Sequence, residues 1–211
     1  MLDGLHAINW GVLRHAYGDA SDVPELLQAL LSADPVVRGE AIHELFGNIW
    51  HQGTVYSASA AAVPFLYELL AAPEARDKPM IACLLASIAG GGGYLEVHAV
   101  GDFGERSWRK ILEEQGKSLE GELALEAAEI DAVRRAASAG LPHLLPYLRD
   151  DEAEVRRSVA DALGNHPEHA AVSLPALELA AASEMDEEVR EAVQESLARL
   201  ASRSRGPDPE R

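Results

Sequence analysis

The chain has 211 residues, enough for one domain with a sizeable core or for a short array of repeats. Apolar residues make up 47% of it but aromatic residues only 5%, and alanine is abundant, so the composition favours closely packed helices over a sheet. The formal net charge of −17 argues against general binding to nucleic-acid phosphates or anionic lipid. It favours a basic partner, or a protein that otherwise binds nucleic acid.

Cysteine content and hydropathy indicate the cellular compartment. The single cysteine, Cys83, excludes an intrachain disulfide and lies in an apolar run, which predicts a buried small hydrophobe. The first ten residues show no basic region followed by an apolar stretch, so no secretory signal is expected. No segment reaches the roughly 20 apolar residues that spanning a bilayer requires. These features predict a cytoplasmic protein.

The first predicted element is a capping helix over residues 5–17, with Trp10 and Leu13 turned toward the core. After it, a proline at the start of an apolar segment is followed by Val-Arg 13 or 14 residues later: Pro24 with Val37-Arg38, Pro142 with Val155-Arg156, and Pro175 with Val189-Arg190. Acidic residues fill the turn before each Val-Arg, where they suit a helix N-terminus. Each unit is therefore predicted to be a helix opened by proline, an acidic turn and a second helix.

Apolar residues continue at helical spacing after each of these valines and predict the buried face of each second helix. The positions expected to point inward are Val37, Ala41 and Leu45, then Val155, Val159 and Leu163, then Val189, Val193 and Leu197. One such helix pair cannot bury its apolar face alone, so neighbouring pairs are expected to stack.

The unit at Pro64 departs from this pattern, because no Val-Arg follows and Pro79 is predicted to open the second helix. The glycines at 90–93 end that helix, and residues 90–104 are predicted to form an inserted loop. The later predictions are a modified third pair over 107–115 and 119–139, a left-handed cap at Gly140, and a disordered tail over 202–211. Residues 1–201 are thus predicted to form one repeat domain.

The spacing of proline, aspartate and Val-Arg resembles the signature of HEAT repeats. Pro142, Asp150 and Val155-Arg156 show it most fully, and the units at Pro24 and Pro175 repeat it less perfectly. The chain also resembles a group of uncharacterised bacterial HEAT-repeat proteins. The resemblance implies a right-handed α-solenoid of about five helix pairs and supplies no known reaction. In such repeats Arg38, Arg156 and Arg190 are expected to link adjacent units.

The stretch "FGNIWHQGTVYS" at 46–57 is the first candidate site. A tight turn at Gly53 is expected to present Trp50, His51, Gln52 and Tyr56 as an aromatic and polar cluster. Such clusters are typical of binding hot spots, whereas filling the wedge between two repeats is the structural alternative. No Ser, Cys or carboxylate stands at triad-like spacing to His51, so no catalytic residue is predicted.

The predicted loop at 90–104 is the second candidate. It lacks the Lys and Ser/Thr of a phosphate-binding loop, so no nucleotide or other cofactor is expected. Its aromatic and histidine side chains are predicted to form an edge of a partner-binding surface, with covering of adjacent helices as the alternative; these residues are Tyr94, His98, Phe103 and the nearby Trp108.

Two further patterns in the sequence bear on possible chemistry. His166 and His169 stand three apart in "NHPEH", but Pro167 favours a surface turn over a metal-binding helix face, so no metal is predicted. The acidic runs are mostly explained by helix capping and solvated faces, and their excess charge is expected to steer a basic partner.

These features favour a non-enzymatic scaffold or adaptor that binds a protein partner on the concave face of a solenoid. One alternative is an inhibitor or immunity protein that neutralises a basic, nuclease-like toxin. Resemblance alone suggests an enzyme, since some HEAT-like proteins are alkylpurine DNA glycosylases and others resemble phycobilin lyases. A glycosylase needs a basic groove to hold the duplex, which the charge of this chain disfavours.

Overall fold

The computed structural model describes residues 1–203, and in this part the chain is predominantly helical. The α-helices are α1 Val23–Ala29, α2 Pro35–Asn48, α3 Ser57–Ala71, α4 Lys78–Ala89, α5 Tyr94–His98, α6 Gly101–Glu114, α7 Leu119–Gly140, α8 Ala153–Gly164, α9 Ala170–Ser183 and α10 Glu187–Arg203. Segments of 3-10 helix occur at Leu5–Ala7, Trp10–Val12, Leu141–Arg149 and Pro167–His169. None of these helices combines the length and apolarity needed to cross a membrane.

Two antiparallel hairpins complete the described part. Strands β1 (Arg14–His15) and β2 (Gly18–Asp19) pair before α1, and strands β3 (Trp50–His51) and β4 (Thr54–Val55) pair between α2 and α3. Both hairpins are only two residues long on each side, so they act as corners between helices. The prediction of an all-α chain is confirmed at this level.

The helices pack in two layers around one apolar core. One layer holds α1, α3, α7 with the 3-10 segment that follows it, and α9; the other holds α2, α4, α8 and α10. In the second layer α8 packs directly between α4 and α10, while α7 packs against α3 and α4. The helices α5 and α6 belong to an insertion with a small second core of Leu95, Ala99, Leu112 and Leu119.

Arg38 and Arg156 make equivalent contacts, each with the turn before its own helix. Arg38 donates through Nη1 to the carbonyls five and six residues before it, at 3.1 and 2.9 Å, and pairs with Asp77. Arg156 makes the same carbonyl contacts at 3.0 and 2.8 Å and pairs with Glu184. Each arginine thus ties its own turn to a residue before the next helix of its layer. Because Arg38 takes the buried position, Val37 is 39% exposed, contrary to the prediction.

The capping helix predicted over 5–17 is wrong. Two 3-10 turns and the first hairpin replace it, although Trp10 is buried and Leu13 packs partly against the core, as predicted. The reason is long-range bonding of the backbone. The Arg14 N–H donates to the Ser57 hydroxyl at 2.9 Å, which an uninterrupted helix would prevent.

The predicted loop over 90–104 is also wrong in part, since α5 lies within it and α6 begins there. Gly101, at φ +71°, makes the turn between the two helices. The carboxylate of Glu126 accepts the N–H groups of Leu95 and Glu96 at 2.9 and 3.0 Å. This cap comes from a residue about 30 positions later, and it stabilises a helix that the local sequence does not predict.

Gly140 does not form the predicted left-handed cap, because its φ is −111° and α7 passes directly into the following 3-10 segment. A glycine is required at this position for another reason. A Cβ at this position would lie 2.4 Å from the ring of Tyr67, whose hydroxyl donates to the Ala137 carbonyl at 2.8 Å. Glycine here permits α3 and α7 to approach closely.

The prolines do not all open helices. Pro24 lies in the first turn of α1 and Pro79 in the first turn of α4, as predicted, and Pro64 lies inside α3. Pro175, which was predicted to open its helix, lies inside α9. The tail predicted to begin at residue 202 is helical through Arg203, and its remainder lies outside the described residues.

Candidate functional site

The corner formed by β3 and β4 positions the first group of predicted site residues. Gln52 and Gly53 make its tip with φ values of +51° and +91°, so the glycine fits the predicted turn. Gln52 is exposed, and the neighbouring His51 and Tyr56 are half-buried. The backbone of Val55 donates to the Gly92 carbonyl at 3.0 Å, which ties this corner to the glycine segment after α4.

Trp50 and His51 serve the structure of the corner. The Trp50 ring packs partly against the core and meets Phe46 edge-on, with ring centres 6.0 Å apart. The Nδ1 atom of His51 donates to the Gly47 carbonyl at 3.2 Å, and the ring meets Tyr17 edge-on at 5.4 Å. Trp50 therefore contributes to packing at this corner, and His51 bonds to its backbone.

Tyr56, by contrast, shares a site with residues of the second candidate group. It lines a cleft of about 260 Å³ between β4, α5, α6 and α7, together with Tyr94 and Trp108, and we call this the aromatic cleft. The rings of Tyr94 and Trp108 meet edge-on with their centres 5.5 Å apart, and the centre of the His98 ring lies 4.2 Å from that of Tyr94. Burial raises the pKa of the Tyr56 phenol, so its hydroxyl stays protonated and can donate.

The opposite wall of the aromatic cleft is charged. Glu122, Glu126 and Glu129 line it from α7, where their spacing of four and three residues places them on one face. Lys117 lies 3.1 Å from the Glu122 carboxylate, and Arg14 lies 3.6 Å from that of Glu129. Aromatic faces beside carboxylates suit a cationic side chain. Sequence analysis missed these residues as site members, although the spacing of the three glutamates was visible.

The helices next to the cleft expose an apolar corner, which consists of Val97, Val100 and Phe103. Their exposed fractions are 67%, 69% and 81%, so all three project into solvent at the junction of α5 and α6. His98 is exposed beside them. Neighbouring exposed apolar side chains are characteristic of interaction surfaces. The structure therefore places Phe103 outside the aromatic cleft but on the same insertion.

The residues considered for chemistry have structural partners. Cys83 is buried, as predicted, and burial raises the pKa of its thiol, which lies 3.4 Å from the Ser158 hydroxyl. His169 contacts the Ser138 hydroxyl at 2.8 Å, while His166 contacts Glu168. Within residues 1–203, no three side chains of His, Cys, Asp or Glu gather to hold a metal ion.

A larger groove of about 670 Å³ lies between the segment Leu141–Arg149 and α9. Leu145 and Leu179 contribute apolar walls, and Met185 is 88% exposed at its edge. Arg156 and Glu184 also line it, but they are already paired with each other. This groove is larger than the aromatic cleft, but it does not bring aromatic and charged groups together as the aromatic cleft does.

Comparison with known families agrees with this geometry. The HEAT-repeat family matches residues 140–165, which cover the 3-10 segment, its acidic turn and α8. Residues 140–165 form a HEAT repeat. The predicted signature of Pro142, Asp150 and Val155-Arg156 lies inside this match and is confirmed there. HEAT repeats are helical scaffolds typically used in protein interaction. No curated protein matches the chain significantly.

Proposed function

We propose that this protein is a non-enzymatic binding module that engages a partner protein. Its two helical layers would form a right-handed solenoid of about five pairs, counting α6 and α7 as the modified pair. The HEAT repeat at 140–165 and the equivalent contacts of Arg38 and Arg156 support this architecture. In such a solenoid the second helices line the concave face, which is available to partners.

The insertion supplies the most specific part of the partner surface. Tyr94 is 44% exposed at the aromatic cleft and Phe103 is 81% exposed at the apolar corner. Solvent-facing aromatic rings of this kind lose little conformational entropy on binding and often dominate binding energy. The exposure of Phe103 on an otherwise acidic molecule is the observation that carries the proposal.

The partner is expected to be basic. The net charge of −17 would steer it during approach, and Glu122, Glu126 and Glu129 would meet its cations beside the aromatic rings. A basic toxin such as a nuclease fits the same chemistry, because carboxylates can occupy a surface made for phosphate. In that case the module would act as an inhibitor.

A photo-activated cross-linker at position 103 tests the proposal in the native host. We expect it to capture a basic protein that the same cross-linker at Leu179, in the groove beside α9, does not capture. With the purified partner, Tyr94→Ala should weaken binding at least tenfold, whereas Met185→Ala should change it less than twofold. Raised salt should slow association.

Two results would contradict the proposal. One is capture of the same proteins from positions 103 and 179, which indicates non-specific proximity. The other is equal binding by Tyr94→Ala and the unmodified chain, which excludes the aromatic cleft. If the partner is a nuclease, its cleavage rate with and without the module decides between an inhibitor and an adaptor.

A further inference from the structure

A second polar cleft lies away from the aromatic cleft, where two helices end. Its volume is about 310 Å³, which lies within the range of small-molecule sites. The end of α4 (residues 89–91), Arg134 of α7, and the turn Asn165 to Glu168 after α8 line it. We call it the α4–α8 cleft.

One buried ring nitrogen in this cleft lacks a hydrogen-bond partner among the described residues. His166 is 3% exposed, and its Nδ1 lies 2.9 Å from the Glu168 carboxylate. Its Nε2 atom is buried and bonds to no protein atom within residues 1–203. Leaving a buried polar atom unpaired is costly, so this nitrogen requires a ligand or a water.

The ionisation state of Glu168 determines which nitrogen of the His166 ring carries the hydrogen. Burial alone would raise the pKa of Glu168, but hydrogen bonds from His166, from its own backbone and from Ser138 together lower it below its ordinary value. An ionised carboxylate only accepts, so Nδ1 of His166 holds the hydrogen that they share. In the neutral ring Nε2 then presents a lone pair and needs a donor.

The rest of the α4–α8 cleft combines groups that favour a cation with one group that favours an anion. The C-terminal ends of α4 and α8 meet at the cleft and bring partial negative charge, as does the Glu168 carboxylate. Arg134 also lines this cleft; its side chain is exposed and forms no ion pair with the residues that the structure describes. The amide of Asn165 also lines this cleft and can both donate and accept.

We propose that the α4–α8 cleft binds a free α-amino acid. Its ammonium group would donate to Nε2 of His166 and to the acceptors at the two helix ends, and its carboxylate would pair with the guanidinium of Arg134. A simple amine leaves the arginine unpaired, and a simple carboxylate leaves Nε2 without a donor. Because Arg134 is exposed, its side chain can move to admit the ligand. This site is independent of the partner surface on the insertion.

Titrations of the full-length protein, followed by nitrogen NMR of the histidine rings, test the proposal. Glycine, L-serine and L-leucine are the probes, with acetate and methylammonium as controls that carry one charge each. We expect at least one amino acid to shift the His166 Nε2 resonance saturably at millimolar concentration, and neither control to do so. The resonance is assigned by its loss in His166→Gln.

Arg134→Gln and Arg135→Gln form a matched pair, since both remove one exposed charge from adjacent positions of α7 and only Arg134 lines this cleft. The first should weaken binding at least about tenfold, as loss of a charged hydrogen bond implies, and the second less than twofold. The proposal is overturned if no amino acid shifts the resonance, if acetate or methylammonium binds equally well, or if both variants lose affinity alike.

Discussion

The pair of Arg156 and Glu184 makes the sharpest test of how the repeats are held together. The substitution Arg156→Gln removes two bonds to Glu184, at 2.8 and 3.0 Å, and two to backbone carbonyls. The Glu184 side chain is only 7% exposed, so the change leaves a shielded carboxylate without its cation. Breaking a buried pair typically costs 3–5 kcal/mol.

The expected loss lies at the lower end of that range. Glu184 keeps the backbone N–H groups of Met185 and Asp186, at 3.0 and 2.9 Å, so we expect a loss of about 3 kcal/mol. For a chain of this size that corresponds to a fall in Tm of roughly 6–12 °C. Urea unfolding at pH 7, followed by circular dichroism at 222 nm, measures it.

Arg157→Gln is the matched control, because Arg157 is the next residue and its pair with Glu154 is exposed. Exposed pairs three residues apart on a helix contribute only about 0.3–0.5 kcal/mol, and salt weakens them. If Arg156→Gln costs less than about 1 kcal/mol, or no more than Arg157→Gln, the inference that these arginines link the repeats is refuted.

Three further outcomes follow from the structure. The pair with Arg156 lowers the pKa of Glu184, so its stabilisation is present above the unfolded pKa of about 4.3 and is lost as pH falls through the lower folded pKa. The stability gap between wild type and Arg156→Gln should therefore narrow from pH 5 to pH 3 in urea titrations. Gly140→Ala should destabilise by at least about 1–3 kcal/mol, since its Cβ would lie 2.4 Å from the Tyr67 ring; an unchanged urea midpoint would contradict this. Gly39→Ala, in the exposed face of α2 with no atom within 4 Å of the new Cβ, should stabilise by about 0.5–1 kcal/mol, and a lower midpoint would contradict that.

Sequence predicted the features that local spacing encodes. The helical spacing after Val155 placed the buried face of α8 correctly, and the Pro142 to Arg156 signature identified the repeat that the family comparison confirms. Gly53 was correctly assigned to a tight turn. These succeed because each depends on residues within about one helical turn or one repeat of each other.

The failures depend on contacts between distant residues. The short helix α5 relies on Glu126, and the size limit at Gly140 comes from Tyr67, so neither effect is visible in the surrounding sequence. Likewise, Tyr56 joins Tyr94 in one cleft only because the β3–β4 corner bonds to the glycines after α4. Tertiary contacts override local propensity at each of these places.

The packing order separates the stacked helices from the proposed partner surface. Because α8 contacts α4 directly, the core passes from the second helix pair to the HEAT repeat without the insertion between them. The insertion keeps its own small core, which includes Leu95 and Leu112, and presents Phe103 outside it. We therefore expect substitutions at exposed positions of α5 and α6 to leave the stacked helices undisturbed. A loss of partner binding by Tyr94→Ala or Phe103→Ala, at unchanged urea midpoint, would accordingly report recognition alone.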